Sequence, residues 1–232
     1  MEIFLIGGGR AARAAHVPFV EACAGGPIVV FVLDDDDLDT ARWETVLEEA
    51  GATAVTVVPV SEGRPPQATD LIDAAGIYVA GGLTPGYRDV LVGAGAEWLD
   101  AARTAGLVYA GFSAGAAIAS DQALVGGWQT EYDGRTLDVC DSDLAEDLGS
   151  LTLLPGLGLV PFLVDVHAAQ WGTLYRLVHA VLRTGLEGWA IDEGTVLAVG
   201  PDGQPRVYGA GAATHVQPNG PGSTTVTVVT SS

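Results

Sequence analysis

Short apolar runs alternate with amphipathic stretches along the first half of the chain. Residues 2–7 (EIFLIG), 27–33 (PIVVFVL), 54–60 (AVTVVPV), 76–82 (GIYVAGG) and 107–111 (LVYAG) are apolar at almost every position and have the length of strands. Between them, 11–24, 38–51, 68–75 and 87–106 have helical spacing. Pro18 predicts a kink or a break in the first of these, and Gly51 a C-cap for the second. A strand that is apolar throughout is covered on both faces, and strands separated by helices pair in parallel. The expected fold is therefore α/β, a three-layer sandwich around a central, mostly parallel sheet. In such sheets chemistry gathers at the carboxyl ends of the strands. Those ends are Gly7-Gly8-Gly9, Asp34 to Asp37, Gly81-Gly82 and Gly111-Phe112-Ser113.

The pattern changes further on. Residues 126–150 are polar, acidic and turn-rich, and read as a long excursion beside the site. Order returns with 157–169 (LGLVPFLVDVHAA) and a helix over 173–185. From 188 to the last residue, apolar and polar positions alternate, with a turn at GPDGQ. That period predicts an antiparallel edge at the C-terminal end of the sheet. No internal repeat interrupts the chain, and residues 1–232 read as one domain.

Composition narrows the function classes. With 48% hydrophobic residues a full core is available. The formal net charge is −19, from 29 acidic and 10 basic residues, and every basic residue is arginine. Such a surface repels phosphate backbones and anionic lipid, so neither nucleic acid nor membrane is an expected partner. Two cysteines, Cys23 and Cys140, make no disulfide framework. No apolar run reaches the ~18 residues of a membrane span, and MEIFLIGGGR reads as a first strand and not as a signal peptide. A soluble, cytoplasmic protein is the expectation.

The fifth apolar run ends in a chemical signal. In YAGFSAGAAIAS (109–120), Ser113 stands between Gly111 and Gly115, after a strand and before a helix-compatible run. G-x-S-x-G in that context is the nucleophile elbow. Small flanks permit a sharp turn that thrusts the hydroxyl out, and the Ala114 amide can then donate to a developing oxyanion. A serine N-cap is the plainer reading of the same residues. Gly82, closing another strand, is a candidate second donor, against a simple strand-ending turn. A serine needs a base. Of His16, His167, His179 and His215, His167 ends the run PFLVDVH and so lies at a strand terminus like Ser113. The base needs an orienting carboxylate. Glu193 ranks first, Asp165 second and Asp192 third. Asp165 would share a side with His167 if that segment were extended.

Five segments, YVAGGLTPGY, GFSAGA, LGLVPFLVDVH, LYRLVHAV and GWAIDEGTVLAV, occur in an order and spacing that resemble the serine-peptidase family containing dipeptidase E and cyanophycinase. The similarity runs from Ile77 to Val199. It implies a flavodoxin-like, class I glutamine amidotransferase-like fold. It also implies hydrolysis of a small peptide or peptide-like amide through an acyl-enzyme: Ser113 attacks, His167 shuttles the proton, and the Gly82 and Ala114 amides hold the oxyanion. Glu193 occupies the place of an acidic residue shared across the family. Dipeptidase E carries an aspartate after its serine, where this chain has Gly127-Trp128-Gln129, and that departure favours Glu193 or Asp165. Cyanophycinases place arginines after the histidine. Here those positions read Trp171 and Thr173, and only Arg176 matches, so cleavage of cyanophycin is not expected. Arg88 and Arg176 are candidate contacts for an acidic substrate, and Trp171, Tyr87 and Trp128 candidate aromatic lining. No cofactor or metal is called for, and a homodimer is left open.

Two other readings compete. Gly7-Gly8-Gly9 after the first strand resembles the start of a dinucleotide-binding loop, but its third glycine is replaced by Ala12. A catalytically silent homologue acting as a binding protein is the other. The run Asp34 to Asp37 reads as a solvated loop before a cation site.

Overall fold

The computed structural model describes residues 1–9, 13–35, 38–93 and 97–231. The end of the dinucleotide-loop spacing (10–12) and half of the acidic run (36–37) lie outside these residues.

The first 112 residues build a sheet. β1 (Ile3–Ile6) leads to α1 (Arg13–Ala22), which runs through Pro18 undivided, then to β2 (Ile28–Leu33). α2 (Thr40–Glu49) shows why its residues form a helix. Asp39 caps it by accepting the Arg42 N–H at 3.0 Å, Trp43 and Leu47 are buried one turn apart, and Gly51 beyond its end takes φ 111°. β3 (Val55–Val60) follows, then a single 3-10 turn, Ala68–Leu71, where a short helix was expected, and β4 (Gly76–Val79). The helical stretch expected over 87–106 is two helices. α3 (Thr84–Leu91) starts earlier, with Pro85 in its first turn, and α4 (Glu97–Ala105) precedes β5 (Val108–Phe112).

β1, β5, β4, β2 and β3 lie parallel in that order. α1 packs on β1 and β5 and α2 on β3, while the short α5 (Ala114–Ala117) packs against β1, β4 and β5. This is the expected α/β sheet flanked by helices. β6 (Gln122–Gly126) leads into the excursion and pairs with the strand that leaves it, and inside it β7 (Gln129–Tyr132) pairs with β8 (Arg135–Asp138) in a tight hairpin. Asp133 and Gly134 both take positive φ, 50° and 70°, in its two-residue turn. The partner of β6 is β9 (Thr152–Pro155).

The C-terminal third departs from a single edge. A second sheet forms from β10 (Leu163–Val166), then, after α6 (Ala168–Trp171) and α7 (Leu174–Thr184), β11 (Gly188–Ile191). The chain then turns at 192–194 and crosses to the main sheet. There β12 (Thr195–Val199) pairs antiparallel with β1, and β13 (Pro205–Gly209) with β12. β14 (Ala212–Pro218) and β15 (Thr224–Thr230) return to the second sheet, whose order is β10-β11-β14-β15. The antiparallel edge is therefore present, but only β12 and β13 belong to it. Alternation explains how the second sheet is held. Leu163, Ala190 and Val216 point one way, into a cluster with Leu177, Ala180 and Val181 of α7. Val164, Val166, Trp189 and Ile191 point the other way and join the core of the main sheet.

Candidate active site

The tail of β1 gathers the site. Three successive carbonyls there each accept one amide: Ile6 from Ser113 (2.9 Å), Gly7 from His167 (2.9 Å) and Gly8 from Gly194 (3.0 Å). Segments from both sheets are thereby set side by side.

Ser113 follows β5 with φ 52° and ψ −108°, left-handed backbone that costs a non-glycine residue about 1–3 kcal/mol. Its flanks must be bare. A Cβ on Gly111 would lie 2.6 Å from the Ala116 nitrogen, and one on Gly115 2.9 Å from the Val79 Cβ. The plainer N-cap reading finds no side-chain capping bond. Instead the hydroxyl oxygen lies 2.8 Å from His167 Nε2.

His167 ends β10 and takes a left-handed turn (φ 55°, ψ 34°) that starts α6. Its Nδ1 lies 2.8 Å from Glu193 Oε1. The imidazole stacks on Trp171, with ring centroids 3.7 Å apart and planes within 6°. Burial pulls the imidazole below its ordinary range, against the opposing hydrogen bond and charge of Glu193. The lowered pKa favours the neutral ring, which, with its proton on Nδ1 toward the carboxylate, can take a proton from the hydroxyl through Nε2.

The three carboxylates separate cleanly. Glu193 meets the imidazole. Asp192 accepts the Ala169 and Ala212 amides, both at 3.0 Å. Asp165 forms a buried, two-pronged pair with Arg176 (3.0 and 2.8 Å). The expectation that Asp165 shares a side with His167 fails because His167 is left-handed and not extended. Asp165 keeps the face of Leu163, toward α7, where Arg176 waits.

The glycines after β1 make room for this pair. A Cβ on Gly9 would lie 2.7 Å from the Glu193 Cβ, and one on Gly8 2.9 Å from His167 Nδ1. At the mouth, Gly81-Gly82 end the β4 strand segment. A Cβ on Gly81 would lie 2.9 Å from the Phe112 ring and 3.1 Å from the Ser113 Cβ. Among the described residues, neither the Gly82 nor the Ala114 amide has a hydrogen-bond partner.

An open cleft of about 1450 Å³ holds these groups. Gly9, Gly82, Ser113, His167, Trp171 and Glu193 line it. Arg88 does not; it bonds the Pro155 carbonyl (3.1 Å) and Asp89. Arg176 does not either. Among the described residues the cation that does is Arg42, over the Trp43 ring at 4.8 Å. Trp128 is absent from the lining, while Tyr87 is present, buried and bonded to Leu33 N–H at 3.0 Å. Sequence reasoning also missed Gln170, whose side chain accepts the Glu193 N–H at 2.9 Å, and Glu146 on the excursion. Neither lies in a pattern that marks it. His16 Nδ1 lies 3.2 Å from the Tyr78 hydroxyl, His179 packs on Tyr132 and Tyr175, and His215 meets Glu187. Among the described residues no group of three or more His, Cys, Asp or Glu is arranged to hold a metal, and no helix is long and apolar enough to cross a membrane.

Comparison with known proteins agrees with this architecture. A crystal structure of a peptidase from an acI-B1 Actinobacterium superposes with a TM-score of 0.69 at 16% identity, covering 99% of this chain and 94% of that one. A Peptidase E candidate from Listeria monocytogenes EGD-e gives 0.59 at 19% identity, covering 90% and 98%. At those identities the likeness is one of fold. A cyanophycinase of Trichormus variabilis is 27% identical over 219 residues, 90% of this chain. The chain spans 66% of that relative's length. The sequence profile of Peptidase family S51 matches residues 3–204, nearly the whole chain, so the protein belongs to that family.

Proposed function

We propose that the protein is a serine-type peptidase or amidase that opens a small peptide-like amide through an acyl-enzyme on Ser113. Ser113 Oγ attacks the carbonyl carbon while its proton passes to His167 Nε2. The charge that develops on the carbonyl oxygen faces the Gly82 and Ala114 amides, whose hydrogens are unspent. His167 then returns the proton to the departing amine as the C–N bond breaks. Water, giving its proton to the same nitrogen, cleaves the ester and restores Ser113. Glu193 orients the ring and offsets the charge it gains. Trp171 is the wall a substrate side chain meets, and Arg42, on the cleft, is a better cationic contact than Arg88 or Arg176. The core shared between the two sheets supports one hydrolytic domain.

One observation carries this reading: a strained serine whose oxygen lies 2.8 Å from a buried imidazole that is itself held by a carboxylate. Family membership and the cyanophycinase likeness support the same chemistry. The test is a fluorophosphonate probe followed by intact mass, on the wild type and on Ser113→Ala. One adduct on the wild type alone is expected. Equal labelling of the two proteins, or none, would retire this mechanism.

A further inference from the structure

Glu146 is spent in an unusual place. It lies in the acidic excursion, at φ 56°, beside Asp147 at φ 60°, two successive non-glycine residues in left-handed backbone. Its carboxylate reaches across the cleft. Oε2 accepts the Thr84 N–H at 2.9 Å and Oε1 the Thr84 hydroxyl at 3.2 Å. Thr84 is 4% exposed and stands two residues after Gly82. Burial raises the Glu146 pKa, so the contact is held against a desolvation cost.

The same segment is tied on its other side. Arg176 Nη1 donates to the Leu144 carbonyl at 3.1 Å, while its remaining nitrogens grip Asp165, two residues before His167. Gly126 lets the segment close in, since a Cβ there would lie 2.8 Å from that of Glu146. Residues 144–146 therefore bridge the strand that carries His167 and the turn that carries the Gly82 amide. On the far flank of that turn, the Tyr87 hydroxyl donates to the Gly81 carbonyl at 3.4 Å. Gly81-Gly82 has no side chains with which to hold itself, so its orientation is imposed by these neighbours.

We propose that Glu146 is a positioning residue: through Thr84 it fixes the Gly82 amide toward the oxygen that becomes charged in the reaction. This rests on the serine-hydrolase reading above. A plain role exists as a contrast. Thr84 begins α3, and its N–H is one of the orphan donors of a helix start, so Glu146 could serve stability alone. The two roles differ in what they predict. A positioning residue acts on the rate of acylation and leaves probe binding unchanged, whereas a stabilising contact alters neither in the folded protein.

The chemistry of the pair also supplies a rescue. In Glu146→Gln the amide oxygen still accepts the Thr84 N–H, and the amide NH₂ donates to the hydroxyl oxygen. Glu146→Ala loses both bonds. The experiment measures fluorophosphonate labelling at several probe concentrations, separating kinact from KI, on wild type, Glu146→Gln and Glu146→Ala. Circular dichroism confirms that each is folded at the assay temperature. Loss of one oxyanion donor costs about 10²–10³ in rate. A donor that is merely misaimed should lower kinact by roughly 10–100-fold in Glu146→Ala, with KI unchanged and with Glu146→Gln close to wild type. Labelling of Glu146→Ala at the wild-type kinact overturns the proposal, as does a loss confined to KI or one that glutamine fails to rescue. A wild type that does not label at all overturns the underlying reading and this proposal with it.

Discussion

Gly8→Ala isolates the fit between the two sheets. Gly8 takes φ 98° against the His167 ring. An added Cβ would lie 2.9 Å from Nδ1 and nearer still to Cε1 and Nε2, whereas ordinary contact begins at 3.4 Å. The ring must retreat by roughly 1 Å to restore contact. The Ser113–His167 separation, 2.8 Å in the native protein, then opens beyond hydrogen-bond reach. Loss of a general base costs about 10²–10⁴ in rate. Left-handed alanine and the lost stacking on Trp171 add about 2 kcal/mol of destabilisation, or a fall in Tm of roughly 4–8 °C at this chain length. The control is Gly203→Ala, at φ 71° with nothing within 4 Å of the new methyl. It carries the backbone strain without the clash. The assay is the fluorophosphonate labelling rate of the three proteins, with Tm measured alongside. Gly8→Ala should label at least a hundredfold more slowly while Gly203→Ala matches the wild type. Labelling of Gly8→Ala within about threefold of wild type would refute the view that this glycine exists to admit the imidazole.

The carboxylates divide by role. Glu193→Gln should slow labelling by about 10³-fold, whereas Asp192→Asn, which loses one acceptor for the Ala169 or Ala212 amide, should cost about 1 kcal/mol of stability and little rate. The reverse order would reject the assignment. Acid should weaken the fold through His16, whose pKa burial and the nearby Arg42 charge lower to about 4 from 6.5. Between those values the unfolded chain binds the extra proton, so stability is lost as pH falls from 6.5 toward 4, by up to about 3 kcal/mol. Urea unfolding at pH 7 and 4.5 should show a shallower fall for His16→Phe than for wild type, and equal falls would remove His16 as the cause.

Much of this was legible because burial writes itself into sequence. The inner strands β1, β2, β4 and β5 are covered on both faces, so their runs are apolar throughout. Ser113 announced itself because no residue but glycine fits at 111 or 115. That His167 and Glu193 stand beside Ser113 was legible from their places at strand ends, aided by the family resemblance. The second sheet was not, since an alternating pattern gives the exposed face of a strand and says nothing about which sheet it joins. Asp165 misled because a parity argument assumes extended backbone, and His167 breaks it. The hairpin at Asp133-Gly134 carried a turn signal that the acidity of its surroundings masked. Arg42 and Glu146 have no signal: the period of α2 marks only its buried face, on which exposed Arg42 does not lie, and Glu146 acts across space from a segment without periodicity. The glycines at 7–9 suggested a phosphate-binding loop, and Gly8 and Gly9 give way instead to side chains from the far end of the chain.

The three carbonyls of Ile6, Gly7 and Gly8 work as a ruler against which three later segments are measured. What is measured against it follows in order along the chain: residue 113, then 167, then 194. On the function proposed above, a nascent polypeptide therefore holds the hydroxyl of residue 113 before it owns the partners that would arm it, and that chemistry waits until residue 194 has been added.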